Sequence, residues 1–275
     1  MKHNTTLTHI LFFTIAVVAA IICLYPVLLM LLSSFKSNSE IFAKPLGLPA
    51  APSLLSYIQL LEQLPYFGYI KNSALVSGVA VSLTLLLGAM ASFYLARFDF
   101  KWNAALFFFF LLGMMIPIKL GIIPLFLLMR RLHVLDTLWS LIFIYTAIGI
   151  PISVLILSRF FRTMPKELEE AARIDGCSNI KIFYHILLPL MCPALGTVAT
   201  IHFITVWNDF FFPLIFIHDE AKKTIPVGML TLFSEYSTDW SVLFAGLTLS
   251  SLPMLLLFLV TSKQFMEGIT AGAVK

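Results

Sequence analysis

Glu167, Glu169, Glu170, Arg173 and Asp175 crowd into one short stretch of a chain in which only 12% of residues are charged. Their types and order suit a helix better than a catalytic centre. Carboxylates in the first turns complement the helix dipole, and Glu169 precedes Arg173 by four residues, the favourable orientation for a pair on one face. Elsewhere Lys119 lies well inside one apolar run, and His202, Asn208 and Asp209 fall within another. No Ser/His/Asp or paired-carboxylate arrangement shares a segment, so an enzyme reading has little support. No G-x-x-x-x-G-K-[ST] occurs, so nothing here cradles a nucleotide's phosphates. Cys23 and Cys192 lie in apolar runs and Cys177 follows the charged stretch. Without a C-x-x-C, neither a disulfide nor a metal site is expected.

The elements that must position these residues follow from composition. Hydrophobic residues make up 60% of the 275, with 26 Phe and a mean hydropathy of +0.96. A soluble chain of this length cannot hide so much apolar surface, so a polytopic membrane protein is expected. Apolar runs fall at 10–32, 72–96, 104–129, 138–158, 186–217 and 241–262. Backbone groups in lipid must be satisfied by helices or closed barrels, and continuous Leu, Ile, Phe and Val exclude the alternation of barrel strands. Six transmembrane helices are therefore predicted. The first run is too long for a signal-peptide core and reads as an uncleaved span. Pro117 and Pro124 bracket Lys119 and predict a bent or interrupted third span. Thr84, Gly88 and Ser92 form a ridge of small residues that predicts close helix packing in the second.

A modest excess of Lys and Arg puts both termini and the segment 159–188 on the cytosolic side, although Arg130 and Arg131 oppose it. The net charge of +4 flanks apolar runs and forms no basic stripe, which argues against nucleic acid. Within 159–188, Pro165 suits a first helical position, Gly176 a left-handed helix end, and Ser178 the cap of a second helix. Leu168, Ala171 and Ala172 are expected to share a face with Asp175, open to a partner. On the second helix Ile180, Phe183, Tyr184 and Leu187 are expected to form the apolar face.

Glu170-Ala171-Ala172, then Asp175-Gly176, then Ile186-Leu187-Leu188-Pro189, resembles the EAA loop of ABC-importer permeases. Ser33 to Lys36, Glu40 to Phe42, Asn72-Ser73, Trp207-Asn208-Asp209 and the ending Gly268 to Lys275 are similar to carbohydrate-importer permeases, closest to the second permease subunit of maltose-type systems. The resemblance spans essentially the whole chain. It implies an all-α polytopic membrane protein with the type I importer permease fold. It also implies one transmembrane domain, 1–275, with 10–32 as a peripheral first span and 70–275 as a core carrying the coupling loop.

The resemblance implies further that Leu168, Glu170, Ala171, Ala172, Asp175 and Gly176 couple to two cytosolic ATP-binding subunits. The chain itself would hold no cofactor, ATP being bound by those partners. A sister permease, in a heterodimer, and an extracytoplasmic sugar-binding protein complete the expected assembly, in contact with membrane lipid. Glu235, Tyr236 and Trp240 lie where such permeases meet the binding protein; interfacial anchoring of the aromatic rings is the alternative. Lys119, Asn208 and Asp209 would line the sugar path, or instead snorkel and pack helices. The competing class is a secondary transporter or channel working without an ATPase. Such proteins carry acidic or histidine relays or inverted halves, neither of which is evident here.

Overall fold

The computed structural model describes the backbone of residues 2–233 and 238–273 and the side chains of 9–233 and 238–263. In chain order the helices are α1 (Lys2–Ser33), α2 (Asn38–Ala43), α3 (Leu55–Gln63), α4 (Tyr66–Arg97), α5 (Asn103–Met115), α6 (Ile122–Arg131), α7 (Leu138–Thr163) and α8 (Glu167–Ile174). They continue with α9 (Asn179–Leu190), α10 (Cys192–Trp207), α11 (Phe211–Phe216), α12 (Ile225–Leu230) and α13 (Trp240–Ala273). The helices α1, α4, α7 and α13 each contain a continuous apolar stretch long enough to cross a bilayer. Two helix pairs are each long and apolar enough together for one further span but are sharply bent, α5 with α6 at 81° and α9 with α10 at 75°.

Both bends have local causes. Ile116, forced out of the helical region by the proline that follows, is extended at ψ 119°, and Pro117 starts a 3₁₀ turn, Ile118–Gly121, that carries Lys119. The expected interruption of the third span is thus present. The fifth run, read as one stretch over 186–217, divides instead into three pieces. Residues up to Leu190 belong to α9, Pro193 opens α10 after the break at Met191, and Asn208–Phe210 separate α10 from α11. Hydropathy alone is blind to these breaks, because the residues on either side are equally apolar.

The chain divides into two compact units. In one, Met1–Tyr66 with Gly228–Leu252, Lys36 is buried and its Nζ donates to the carbonyls of Lys44 and Pro45 at 3.0 and 3.2 Å. Ser34 bonds the hydroxyl of Tyr57 at 2.7 Å, and a Glu40 carboxylate oxygen accepts from the Ala50 N–H at 2.6 Å. The segments 33–36 and 40–42 therefore fold the loop after α1 onto itself.

In the other unit, Phe67–Val227 with Pro253–Lys275, α7 is central. Its first half packs Leu141, Ile142 and Tyr145 against Val76, Ala80, Val206 and Phe212. Its second half packs Leu157 and Phe161 against Ala89, Phe93, Ile182, Phe183, Leu187 and Val198. The predicted small-residue ridge lies between α4 and α7. A Cβ added at Gly88 would stand 2.0 Å from Ser153 Oγ, so only glycine allows this approach. Thr84 and Ser92 donate to the carbonyls of Thr146 and Val154 at 3.5 Å each.

Candidate coupling surface

The corner between α7 and α10 is held from several directions. Helix α8 begins at Glu167, two residues beyond Pro165, so the proline precedes the helix rather than occupying its first position. The helix ends on a Schellman motif. Gly176, at φ +78°, donates its N–H to Arg173 O at 3.0 Å, and Cys177 donates to Ala172 O at 2.9 Å. Nothing lies within 4 Å of a Cβ placed on Gly176, so backbone conformation rather than space requires the glycine there. Ser178 then caps α9 by accepting from the Lys181 N–H at 3.4 Å.

Two anchors fix this corner to the spans. Arg97, at the end of α4, meets Glu169 with Nε and Oε1 2.5 Å apart, both side chains being almost fully buried. The Nε–H is turned off that line, so the contact is ionic rather than an aligned hydrogen bond. A second guanidinium nitrogen donates to Met164 O at 3.1 Å. Arg173, expected to be Glu169's partner, stays 4.0 Å away and is half exposed, so Arg97 dominates. The other anchor is aromatic: Phe183 lies with its ring centroid 5.3 Å from Phe93 and 6.4 Å from Phe161.

These anchors correct the expected faces. Ala172 is buried in the core with Glu169 and does not join Leu168, Ala171 and Asp175 on an open surface. The open side of α8 holds Glu170, Ala171, Ile174 and Asp175, with Leu168 at its margin; Ile174 is 86% exposed and Leu168 41%. On α9 the inward residues are Ile182, Phe183 and Leu187, whereas Ile180 is 71% exposed and Tyr184 partly so. A π-helical turn at Phe183–Leu187 adds a residue to the repeat, which rotates the buried set away from simple α spacing. Ile174 and Ile180, exposed apolar side chains flanking the glycine corner, were missed from the sequence, as was the partnership of Glu169 with Arg97.

The intramembrane polar residues behave differently from one another. Lys119 lies with its Nζ 4.8 Å above the Phe211 ring and has no carboxylate in ion-pair reach among the described residues. Asp209 is tied down: one carboxylate oxygen accepts from the Tyr145 hydroxyl at 2.8 Å and from the Phe212 N–H at 3.1 Å, capping α11. Asn208 is exposed, and its amide donates back to Ile204 O at 2.9 Å. His202 is buried against Thr84, 3.2 Å from its hydroxyl. Trp240 opens α13 and donates its N–H to Asn38 Oδ1 at 3.1 Å, while Glu235 and Tyr236 lie outside the described residues.

At the start of α7 a polar loop is tied by carboxylates. Asp136 accepts from the N–H groups of His218 and Asp219 at 2.8 and 3.0 Å, and these backbone donors hold its carboxyl below the usual range. Asn72 donates to Ala221 O and Lys223 O at 2.9 Å each, and Ser73 accepts from the Ile225 N–H at 2.9 Å. The pair that opens the second apolar run thus fastens the connection between α11 and α12.

Among the described residues, four helices long and apolar enough to cross a bilayer, two bent helix pairs that bring the spans to as many as six, and an ordered, exposed helical corner define a polytopic, helical membrane protein. Over residues 84–265 the chain matches the family described as binding-protein-dependent transport system inner membrane component. It is 37% identical over 265 residues to a putative ABC transporter permease protein of Caldicellulosiruptor sp. (strain Rt8B.4), covering 96% of each chain. To the trehalose/maltose transport system permease protein of Thermococcus litoralis it is 33% identical over 274 residues, covering 98% of each. Its fold matches, with a TM-score of 0.83 and 20% identity, a crystal structure of a bacterial ABC transporter involved in the import of the acidic polysaccharide alginate, covering 95% of this chain and 98% of that one. The chain belongs to the binding-protein-dependent inner-membrane family, and it is a multi-pass permease subunit of an ABC importer rather than an enzyme or a self-contained carrier.

Proposed function

We propose that the corner formed by α8, Gly176 and α9 docks on a cytosolic ATP-binding subunit and passes its movement to the spans. The observation that carries this reading is the combination of a firmly anchored inner side with an open outer side bearing Ala171, Ile174 and Asp175. A segment that transmits force must resist bending, and the buried ion pair and aromatic cluster supply that resistance. Ile174, when covered by a partner, contributes on the order of 1.5–3 kcal/mol to docking. Glu170, Asp175 and Gly176 belong to the same contact, with Leu168 at its edge; Ala172 acts from the inside.

In this reading two ATP-binding subunits hold the nucleotide, and this chain holds none. A sister permease completes the translocation path in a heterodimer, and an extracytoplasmic binding protein delivers the cargo. Both termini face the cytosol. The cargo class is a sugar, a reading supported by the name of the Thermococcus litoralis relative and by the match of nearly its whole length. Asn208 and Lys119, both exposed, are the residues of this chain that meet sugar hydroxyls; Asp209 shapes the same region by holding α11 against Tyr145. Trp240 belongs to the face that meets the binding protein, and Glu235 and Tyr236 extend it in sequence.

Affinity capture of the tagged chain is expected to bring an ATPase with it. With Glu170→Lys or Ile174→Glu, the assembled transporter should lose coupling between hydrolysis and uptake. Normal assembly with normal coupled uptake in both variants would contradict the docking role.

A further inference from the structure

A cavity of about 610 Å³ opens beside the turn from α4 to α5, lined by Arg162 and Lys166 from the end of α7 and its exit, and by Phe107 and Phe108 of α5. The Arg162 guanidinium lies 5.6 Å from the centroid of the Phe107 ring, a cation–π contact that helps to place the charge on the cavity wall. Neither Arg162 nor Lys166 has a carboxylate within ion-pair distance among the described residues. Of the other polar lining groups, Arg97 and Asn103 are already engaged. Arg97 is neutralised by Glu169, the Asn103 amide donates to Leu95 O and Phe98 O at 3.1 and 2.7 Å, and Asp99 also lines the cavity without pairing with either free cation.

We infer that this cavity binds the headgroup phosphate of an anionic membrane phospholipid. Two features point to a lipid rather than a soluble phosphate. The cavity sits where the apolar stretches of α4 and α7 give way to charge, the level at which headgroups lie. Below it the flank of α5 is apolar and open, with Phe108 and Phe109 57% and 67% exposed, which offers a track for an acyl chain. One wall is Arg97 itself, so the bound headgroup stands next to the ion pair that anchors α8. The inference stands on this cavity alone and does not require the docking role of the corner.

The test uses the assembled transporter, purified in detergent with equal amounts of phosphatidylglycerol and phosphatidylcholine and weighed by native mass spectrometry. The wild type is expected to retain phosphatidylglycerol selectively. Each cation is worth about fivefold in affinity for an anionic lipid, so Arg162→Gln with Lys166→Gln lowers retention roughly 30-fold. Arg162→Lys keeps most of the retention, and Arg131→Gln, outside the cavity, leaves it unchanged. Equal retention of the two lipids by the wild type, or unchanged retention in the double variant, overturns the inference. Displacement of the lipid by millimolar inorganic phosphate would assign the cavity to a soluble anion and overturn it as well.

Discussion

The two ends of α7 hold similar charged residues in opposite settings. Beyond its C-terminal end, Arg97 and Glu169 meet almost fully out of water. Before its N-terminal end, Asp136, Asp219 and Lys222 form a loose cluster in which each side chain is roughly two-fifths exposed. The helix between them has 26 residues, about 39 Å at 1.5 Å per residue. A buried pair punishes the loss of one partner because the other charge stays in a low-dielectric site, whereas an exposed pair is already screened by solvent. The stiff end is therefore the one on which the open face of α8 is mounted, and the other end is a surface latch.

The largest effect separating the two ends is expected from Arg97→Met, which strands Glu169 and costs about 3–5 kcal/mol. Denaturant or SDS unfolding of the purified chain measures it. The comparison sharpens if Arg97→Met with Glu169→Met recovers most of that loss, since the pair then fixes geometry more than it stabilises. Equal losses in the single and double variants would show that packing rather than charge holds α8. Gly176→Ala comes next, with about 1–2 kcal/mol of strain from placing a Cβ at positive φ. Because no neighbour within this chain crowds that site, the cost in the isolated chain should come from the backbone strain of the corner and not from a steric clash.

At the other end, Asp136→Ala removes the acceptor of two backbone N–H groups and should cost about 1 kcal/mol at neutral pH. The sign of its pH dependence follows from the depressed carboxyl. Its contribution is complete above the ordinary value of 3.8 and fades as pH falls through the lower folded value. Thermal melts of wild type and variant should therefore converge in acid, and a difference that grows below pH 4 would contradict the assignment. Lys222→Ala is expected to change least. A loss as large as that of Arg97→Met would dissolve the contrast between the two ends.

Much of this was legible because membrane helices announce themselves by composition and because glycine, proline and serine punctuate the corner locally. Gly176 and Ser178 end and begin helices as their chemistry dictates. The break after Met115 followed from Pro117, but the division around Met191 and Asn208 lay inside an unbroken apolar run. The inward turn of Ala172 was hidden for a different reason. Which side of a short helix faces the protein is decided by Arg97 and Phe93, far away in sequence, and by a π turn that no α-helical spacing anticipates. For the same reason the sequence left Asp209 open between lining a path and packing one helix on another, whereas Tyr145 and the α11 backbone both engage one of its carboxylate oxygens.

The central claim is that the outer side of the corner touches an ATP-binding subunit. The direct measurement is disulfide or bifunctional cross-linking of Ile174→Cys in a background lacking Cys23, Cys177 and Cys192, within the assembled transporter. An adduct with the ATPase that forms at position 174, is absent at the inward position 172, and blocks uptake until reduced is the predicted result. An assembled, active transporter that yields adducts only with lipid-facing or permease partners would contradict it.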